Sequence, residues 1–228
     1  MKSVAISQSN YIPWKGYFDM INRVDEFILL DDVQYTRSDW RNRNLIKMEQ
    51  GLQWVTIPVE SKGEYHQRIC DTLVHGSTWR VEHPKAIKHA YARTDYYTEI
   101  TDILRPLYEH ASNRLSEINE QFIRAICAYL GIETTISHSW AYPSEGQKTQ
   151  KLLSICKQCG ADIYYSGPAA KAYLDEELLR KNKIEVRYIA YEGYPTYPQL
   201  YPPFEHKVSI IDLLCNMGKE APDYMLSF

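Results

Sequence analysis

The sequence predicts an α/β fold: a largely parallel sheet flanked by helices, with a central helical insertion. Three observations carry this. Short apolar runs at Val4–Ile6, Phe27–Leu30, Ile163–Ser166 and Ile184–Ala190 alternate with amphipathic stretches, which implies right-handed crossovers and parallel pairing. Polar residues gather just after the first two runs, as Gln8-Ser9-Asn10-Tyr11 and Asp31-Asp32, the edge where loops leaving parallel strands meet ligands. Helical spacing dominates from about 78 to 131 with no Gly/Ser linker or repeat beside it. The 228 residues therefore read as one compact unit, that block being inserted between two α/β halves.

Taken in order, Val4–Ile6 is a strand, and a helical segment follows Pro13 with Tyr17, Phe18 and Ile21 on one face. Phe27–Leu30 is the second strand. Tyr35–Asn44 reads as a polar, basic loop, Gln53–Val59 as a strand ending near Pro58, and Arg68–Val74 as a further strand candidate after a turn at Gly63. Thr78 is placed as the cap of a helix from Trp79 to about Ala92. Another helix starts at Thr94 and is expected to break or kink at Arg105-Pro106. Leu115, Ile118, Phe122, Ile126 and Tyr129 mark a strong amphipathic helix stopped by Gly131. Beyond it come a strand at Thr134–Trp140, a helix at Thr149–Cys159 stopped by Gly160, and a helix at Leu174–Lys181. Gly193–Pro203 is too rich in proline for regular structure. Ser209–Asn216 is the last helix, with Ser209 as its cap, and the tail beyond Gly218 is expected to be mobile or loosely docked.

Composition narrows the function. A net charge of -3 argues against nucleic acid as a partner, because neutralising phosphates needs a basic face. The chain opens without a signal-peptide pattern and carries no apolar run of the ~20 residues that span a bilayer, so a soluble cytoplasmic protein with no membrane partner is expected. The five cysteines read as reduced and buried. Cys156 and Cys159 have CxxC spacing, but they fall in a helical stripe with Leu152 and Ile155 and lack companion ligands, so no metal site is expected.

Candidate site residues cluster after the strands. Gln8, Asn10, Tyr11, Trp14 and Asp31 follow or flank the first two strands, and Gln34, Trp40, Asn42, Arg43 and Asn44 belong to the tryptophan- and arginine-rich segment. Arginine forks suit phosphate or carboxylate oxygens. Ser166-Gly167 sits at a strand-to-helix junction whose free amides could hold a phosphate, but with no GxGxxG or GKS/T beside it a simple tight turn is the favoured reading. Tyr197 and Gln199 stand in the proline-tyrosine loop. His83, near a helix start, is kept neutral there, as a general base must be.

Four separated segments, SQSNYIPWKGYFDMI, DDVQYTRSDWRNRN, YYSGPAAKAYLD and YPQLYPPFEHKVSIIDLLCNMG, together resemble the WbqC-like protein family nearly end to end. One departure is Ser9, where the family usually has proline, which leaves the local turn open. The resemblance implies a place in bacterial surface polysaccharide (O-antigen) biosynthesis and N-acylation or aminoacylation of amino sugars carried on nucleotides. The expected substrates are then a nucleotide-linked amino sugar and a coenzyme A thioester or other activated acyl donor, a carrier protein included, with no tightly bound cofactor. Such transfer needs both substrates in line, a base for the amine proton and donors at the oxyanion. His83 is the expected base, with Asp32 orienting it or taking the ammonium proton. Gln8 and Asn10 suit sugar hydroxyls, Arg43 the phosphate, and Tyr197 with Gln199 the closing of the pocket. No nucleophile elbow is present, so direct transfer without an acyl-enzyme is expected. Two alternatives remain open. One is nucleotidyl transfer or ligation, although the Ile12–Tyr17 turn has no histidine pair; the other is a non-catalytic binding or scaffold protein.

Overall fold

A computed structural model describes residues 1–61, 63 and 66–228. In chain order the elements are β1 (Ser3–Ser7), α1 (Lys15–Asn22), β2 (Glu26–Leu29), β3 (Arg43–Met48), β4 (Gly51–Thr56), α2 (Trp79–Tyr91), α3 (Tyr97–Glu109) and α4 (Leu115–Leu130). They continue with β5 (Thr135–His138), α5 (Thr149–Gln158), β6 (Ile163–Ser166), α6 (Glu176–Lys181), β7 (Glu185–Tyr188) and α7 (Ile210–Met217). The predicted α/β architecture is present: five strands pair in the order β5-β2-β1-β6-β7, and every ladder is parallel. The chain builds outward from β1 to one side and then returns to the other. The point of reversal therefore lies between β1 and β6, and the crevice above it opens at the strands' carboxyl ends.

The three central strands β2, β1 and β6 are buried on both faces, which is why they read as apolar runs, while the edge strands β5 and β7 stay partly exposed. Ala5, Phe27 and Leu29 face a core shared with Phe18 of α1, Ile87 of α2, Leu104 of α3, Phe122 of α4 and Leu214 of α7. Val4, Ile6 and Ile28 face the opposite side, where Leu152, Ile155 and Cys156 of α5 and Leu179 of α6 cover them. The single-residue alternation along each strand thus divides two helical layers.

Several local expectations are corrected. The polar segment does not run as loop through Asn44: β3 starts at Arg43 and pairs antiparallel with β4, making a separate hairpin. Polar Arg43, Asn44 and Lys47 hid its alternation, in which Asn44, Ile46 and Met48 are the inward positions. Arg68–Val74 is not a strand; it makes a single 3-10 turn at Ile69–Asp71, with amides of Ile69 and Cys70 on the carbonyls of Val33 and Asp31. Thr78 is helical and makes no side-chain cap. α3 runs through Pro106 to Glu109. An interior proline costs ~3 kcal/mol, but Ile100, Leu104 and Tyr108 are buried on one face, each contributing about 1.5–3 kcal/mol, so packing wins. The tail is docked: Ala221 and Met225 are buried, and the Leu226 and Ser227 amides bond to the Asp19 carboxylate at 3.0 and 2.9 Å. Gly131 and Gly160 take positive φ after α4 and α5, as expected of helix stops, and Ser209 caps α7 through Ile211.

Candidate functional site

Two adjoining clefts lie at the carboxyl edge of the sheet, one of about 510 Å³ and one of about 790 Å³. The smaller lies at the point of reversal. Ser7 and Gln8 at the end of β1 and Ser166 and Gly167 at the end of β6 line it, facing Arg41, Lys148 and Lys151. The larger opens beside it between the loop after β1, the β3–β4 hairpin and the late proline-tyrosine loop, with Leu45, Leu52, Tyr194 and His206 among its walls. Asn10, Trp14, Trp40 and Tyr191 belong to both, so the two form adjacent compartments of one site.

The loop after β1 is held hard. Ser9, buried, donates its amide to Asp31 Oδ1 at 2.8 Å, a bond that a proline there would forfeit, and its hydroxyl accepts from Asn119 at 3.0 Å. Ile12 is fully buried with φ of 36°, a conformation costly for a β-branched residue. Its carbonyl accepts from Asn44 Nδ2 at 3.0 Å and from Ser209 Oγ at 2.8 Å. These bonds fix the turn that delivers Pro13 and Trp14 to the wall, where Trp14 meets Tyr191 edge-on at 5.0 Å.

The cationic side has its own geometry. Lys148 precedes α5 with φ of 50°, backbone strain of the kind that collects at functional sites, and its side chain lines the smaller cleft. Lys151, one turn on, donates to Asp32 Oδ2 at 2.6 Å, while Ser139 Oγ donates to Asp32 Oδ1 at 2.5 Å. Arg41 donates to the Asn10 side chain and sits 3.5 Å from Asp39.

His206 stands in the wall of the larger cleft, edge-on to Phe204 at 4.6 Å, and its Nδ1 is buried with no hydrogen-bond partner among the described residues. Burial first, and the Lys15 ammonium second, push its pKa below the ordinary value, favouring neutral imidazole. Lys15 is itself buried, with Nζ 3.2 Å from the Tyr224 carbonyl and 4.5 Å from the centre of the Tyr194 ring; desolvation lowers its pKa to about 8.

Of the residues singled out from the sequence, Gln8, Asn10, Trp14, Trp40, Asn44, Ser166 and Gly167 are brought to these walls. The others have different surroundings. His83 lies in the core: its Nε2 faces the Thr56 carbonyl at 3.2 Å and its Nδ1 the Tyr11 hydroxyl at 2.9 Å. A carbonyl only accepts, so Nε2 carries the proton, Nδ1 accepts from Tyr11, and Tyr11 accepts in turn from Tyr108 at 2.8 Å. Desolvation lowers the His83 pKa to about 4. Asp32 is not its partner, being taken by Lys151 and Ser139. Asp31 holds Ser9, and burial raises its pKa. Gln34 bridges to Arg68, and Asn42 donates to the Ile57 carbonyl at 2.8 Å. Arg43 lies 4.2 Å over the Trp54 ring and donates to the Ser38 carbonyl, and it is not among the residues that line either cleft. Tyr197 and Gln199 both donate to Asp212 Oδ1, at 2.7 Å each, and Gln199 Oε1 accepts from Lys47 and the Glu205 amide. They brace the loop that presents His206 without lining the cleft.

Sequence reading passed over Lys148, Lys151, Tyr191 and His206. The two lysines carried a signal, one helical turn apart at the start of α5. His206 lay inside one of the four family-like segments, but only the fold brings residue 206 to the same cleft as residue 14.

A doubly wound parallel sheet with a two-compartment cleft at its point of reversal defines the class: an α/β protein built like those that hold small molecules at strand ends. The chain belongs to the WbqC-like protein family, whose profile matches residues 8–224. It is 50% identical over 226 residues to the uncharacterized protein Rv1507c of Mycobacterium tuberculosis (strain ATCC 25618 / H37Rv), covering 99% of this chain and 98% of that protein. No solved structure matches the chain. No helix among the described residues is long and apolar enough to cross a membrane.

Proposed function

We propose that this protein is an N-acyltransferase or N-aminoacyltransferase that modifies the amine of a nucleotide-linked amino sugar for bacterial surface polysaccharide, taking the acyl group from a thioester or other activated donor. The observation that carries the reading is the pairing of a cationic, hydroxyl-lined compartment with an aromatic one across shared walls. Arg41, Lys148 and Lys151 suit diphosphate oxygens, and Gln8, Asn10 and Ser166 suit sugar hydroxyls. The amine attacks the thioester carbonyl, the new C–N bond replaces the C–S bond, and the thiolate leaves. The amine proton goes to a base. In this reading the base is His206, a cleft-lining imidazole held neutral by its surroundings, while His83 supports the core. Holding both substrates in line supplies ~7–11 kcal/mol, so one base and positioning groups suffice.

The test is direct. Purified protein is incubated with uridine and thymidine diphosphate amino sugars and a panel of acyl-coenzyme A and aminoacyl thioesters, and the N-acylated product is followed by mass spectrometry. Product formation that falls at least 100-fold in His206→Gln supports the reading. Absence of product across the panel overturns the reaction, and undiminished turnover in His206→Gln overturns the base.

A further inference from the structure

We infer that the larger compartment is an acyl pocket selective for uncharged, apolar acyl groups over charged ones, a conclusion that rests on the acyl-transfer reading of the cleft. Its walls are mainly aromatic and aliphatic: Trp14 and Tyr194 on one side, Trp40, Leu45 and Leu52 on the other. Trp40 and Leu52 are 42% and 45% exposed, and Trp54, 5.4 Å from Trp40, is 42% exposed. Large apolar side chains left gathered in water beside a cleft mark a surface awaiting an apolar occupant. The cleft adjoins the cationic compartment through Asn10, Trp14, Trp40 and Tyr191, so a group seated among these rings lies beside a sugar held at the strand ends.

Charge completes the argument. Glu192 and Glu205 are the carboxylates of the larger compartment, and a dicarboxylic acyl group would bring its free carboxylate against them. The ionisable groups around them include His206, Lys207, Lys47, whose ammonium is held by Gln199 and the Pro203 carbonyl behind Glu205, and the buried Lys15, whose ammonium is directed at the Tyr224 carbonyl. A cationic aminoacyl group would gain from the glutamates but leave the apolar walls uncovered. The area of ring and aliphatic surface decides for the apolar chain.

The experiment measures binding, so it does not depend on turnover. Acetyl-, butyryl-, hexanoyl-, succinyl- and glycyl-pantetheine are titrated into the full chain by calorimetry. Affinity is expected to rise about fourfold per added methylene, the equivalent of ~0.8 kcal/mol per buried methylene, with the succinyl and glycyl forms weaker than butyryl. Leu52→Asp, at an exposed hairpin position where folding is little affected, should flatten the chain-length series. Affinity independent of chain length, tightest binding by the glycyl or succinyl form, or a series unchanged in Leu52→Asp would each overturn the inference. A clear chain-length series without sugar acylation leaves the pocket assigned and removes only the reaction.

Discussion

Asn44 and Ile12 are joined by a 3.0 Å hydrogen bond from the Asn44 amide to the Ile12 carbonyl, and the same amide holds the Tyr11 carbonyl at 3.1 Å. The hairpin thereby clamps a strained turn of the loop after β1, and Trp14 takes its place in the cleft as a result. Asn44→Ala takes the side-chain donor from the Tyr11 carbonyl and one of two side-chain donors from the Ile12 carbonyl, which keeps Ser209, and should cost about 1–3 kcal/mol in urea unfolding. Ligand binding should weaken with it, because Trp14 loses its fixed position. A variant as stable as the parent would refute the clamp.

The core placement of His83 has a pH signature. The unfolded chain takes up a proton near the ordinary 6.5, whereas the folded chain resists until about 4. Stability present above pH 6.5 is therefore lost as pH falls through that window, by about 3 kcal/mol from this group. In His83→Gln the decline between pH 7 and pH 4.5 should be shallower by about 2 kcal/mol, most of that amount. Parallel stability curves for the two proteins would show that the imidazole is not held neutral.

The docked tail is gathered on the Asp19 carboxylate, with Asn22 and Arg23 donating to the Ser227 and Leu226 carbonyls beside it. Asp19 Oδ1 accepts from Leu226, Ser227 and the Ser227 hydroxyl, while the Tyr194 hydroxyl donates to Oδ2. Asp19→Asn should cost about 2 kcal/mol and expose the last residues to carboxypeptidase. Because Tyr194 is a wall of the larger cleft, apolar ligands should bind it less tightly as well.

The cationic compartment can be tested against the arginine that the sequence favoured. Lys151→Met removes a charge and uncovers Asp32, so nucleoside diphosphate affinity should fall at least tenfold, about 1.4 kcal/mol. Lys148→Ala should weaken it by a smaller factor, and Arg43→Ala should leave it unchanged. Equilibrium dialysis at two salt concentrations checks both the order and its electrostatic origin.

The thiols offer a last check on packing. Cys127 and Cys156 are buried, and desolvation pushes each pKa up to about 12; Cys159 and Cys215 are buried and shifted upward too. A thiol reagent at pH 8 should modify these four only as fast as the protein unfolds, with half-buried Cys70 the first to react. Rapid modification of Cys156 in the folded protein would contradict the core reading of its CxxC pair.

How far the sequence was legible depends on whether an element speaks for itself. β1, β2 and β6 were readable because strands buried on both faces need apolar runs, and β7, half-exposed at the sheet edge, was readable from its apolar alternation. α4 was readable because Leu115, Ile118, Phe122 and Ile126 repeat at helical spacing. β3 was not, because its inward positions include Asn44, whose apolarity is replaced by hydrogen bonds to a distant loop. α3 persisted through Pro106 because packing against the core outweighs a local propensity.

Taken alone, the residue order determined the α/β alternation, the parallel sheet and the polar cluster at the ends of the first strands, since period and turn chemistry are local properties. Tertiary structure alone decided which polar residues face a cavity. It drew His83, Tyr11 and Arg43 into packing and set Lys148, Lys151 and His206 around the cleft. The reason is physical: exposure to a cavity is a property of what other segments leave uncovered, and no residue type or spacing encodes that.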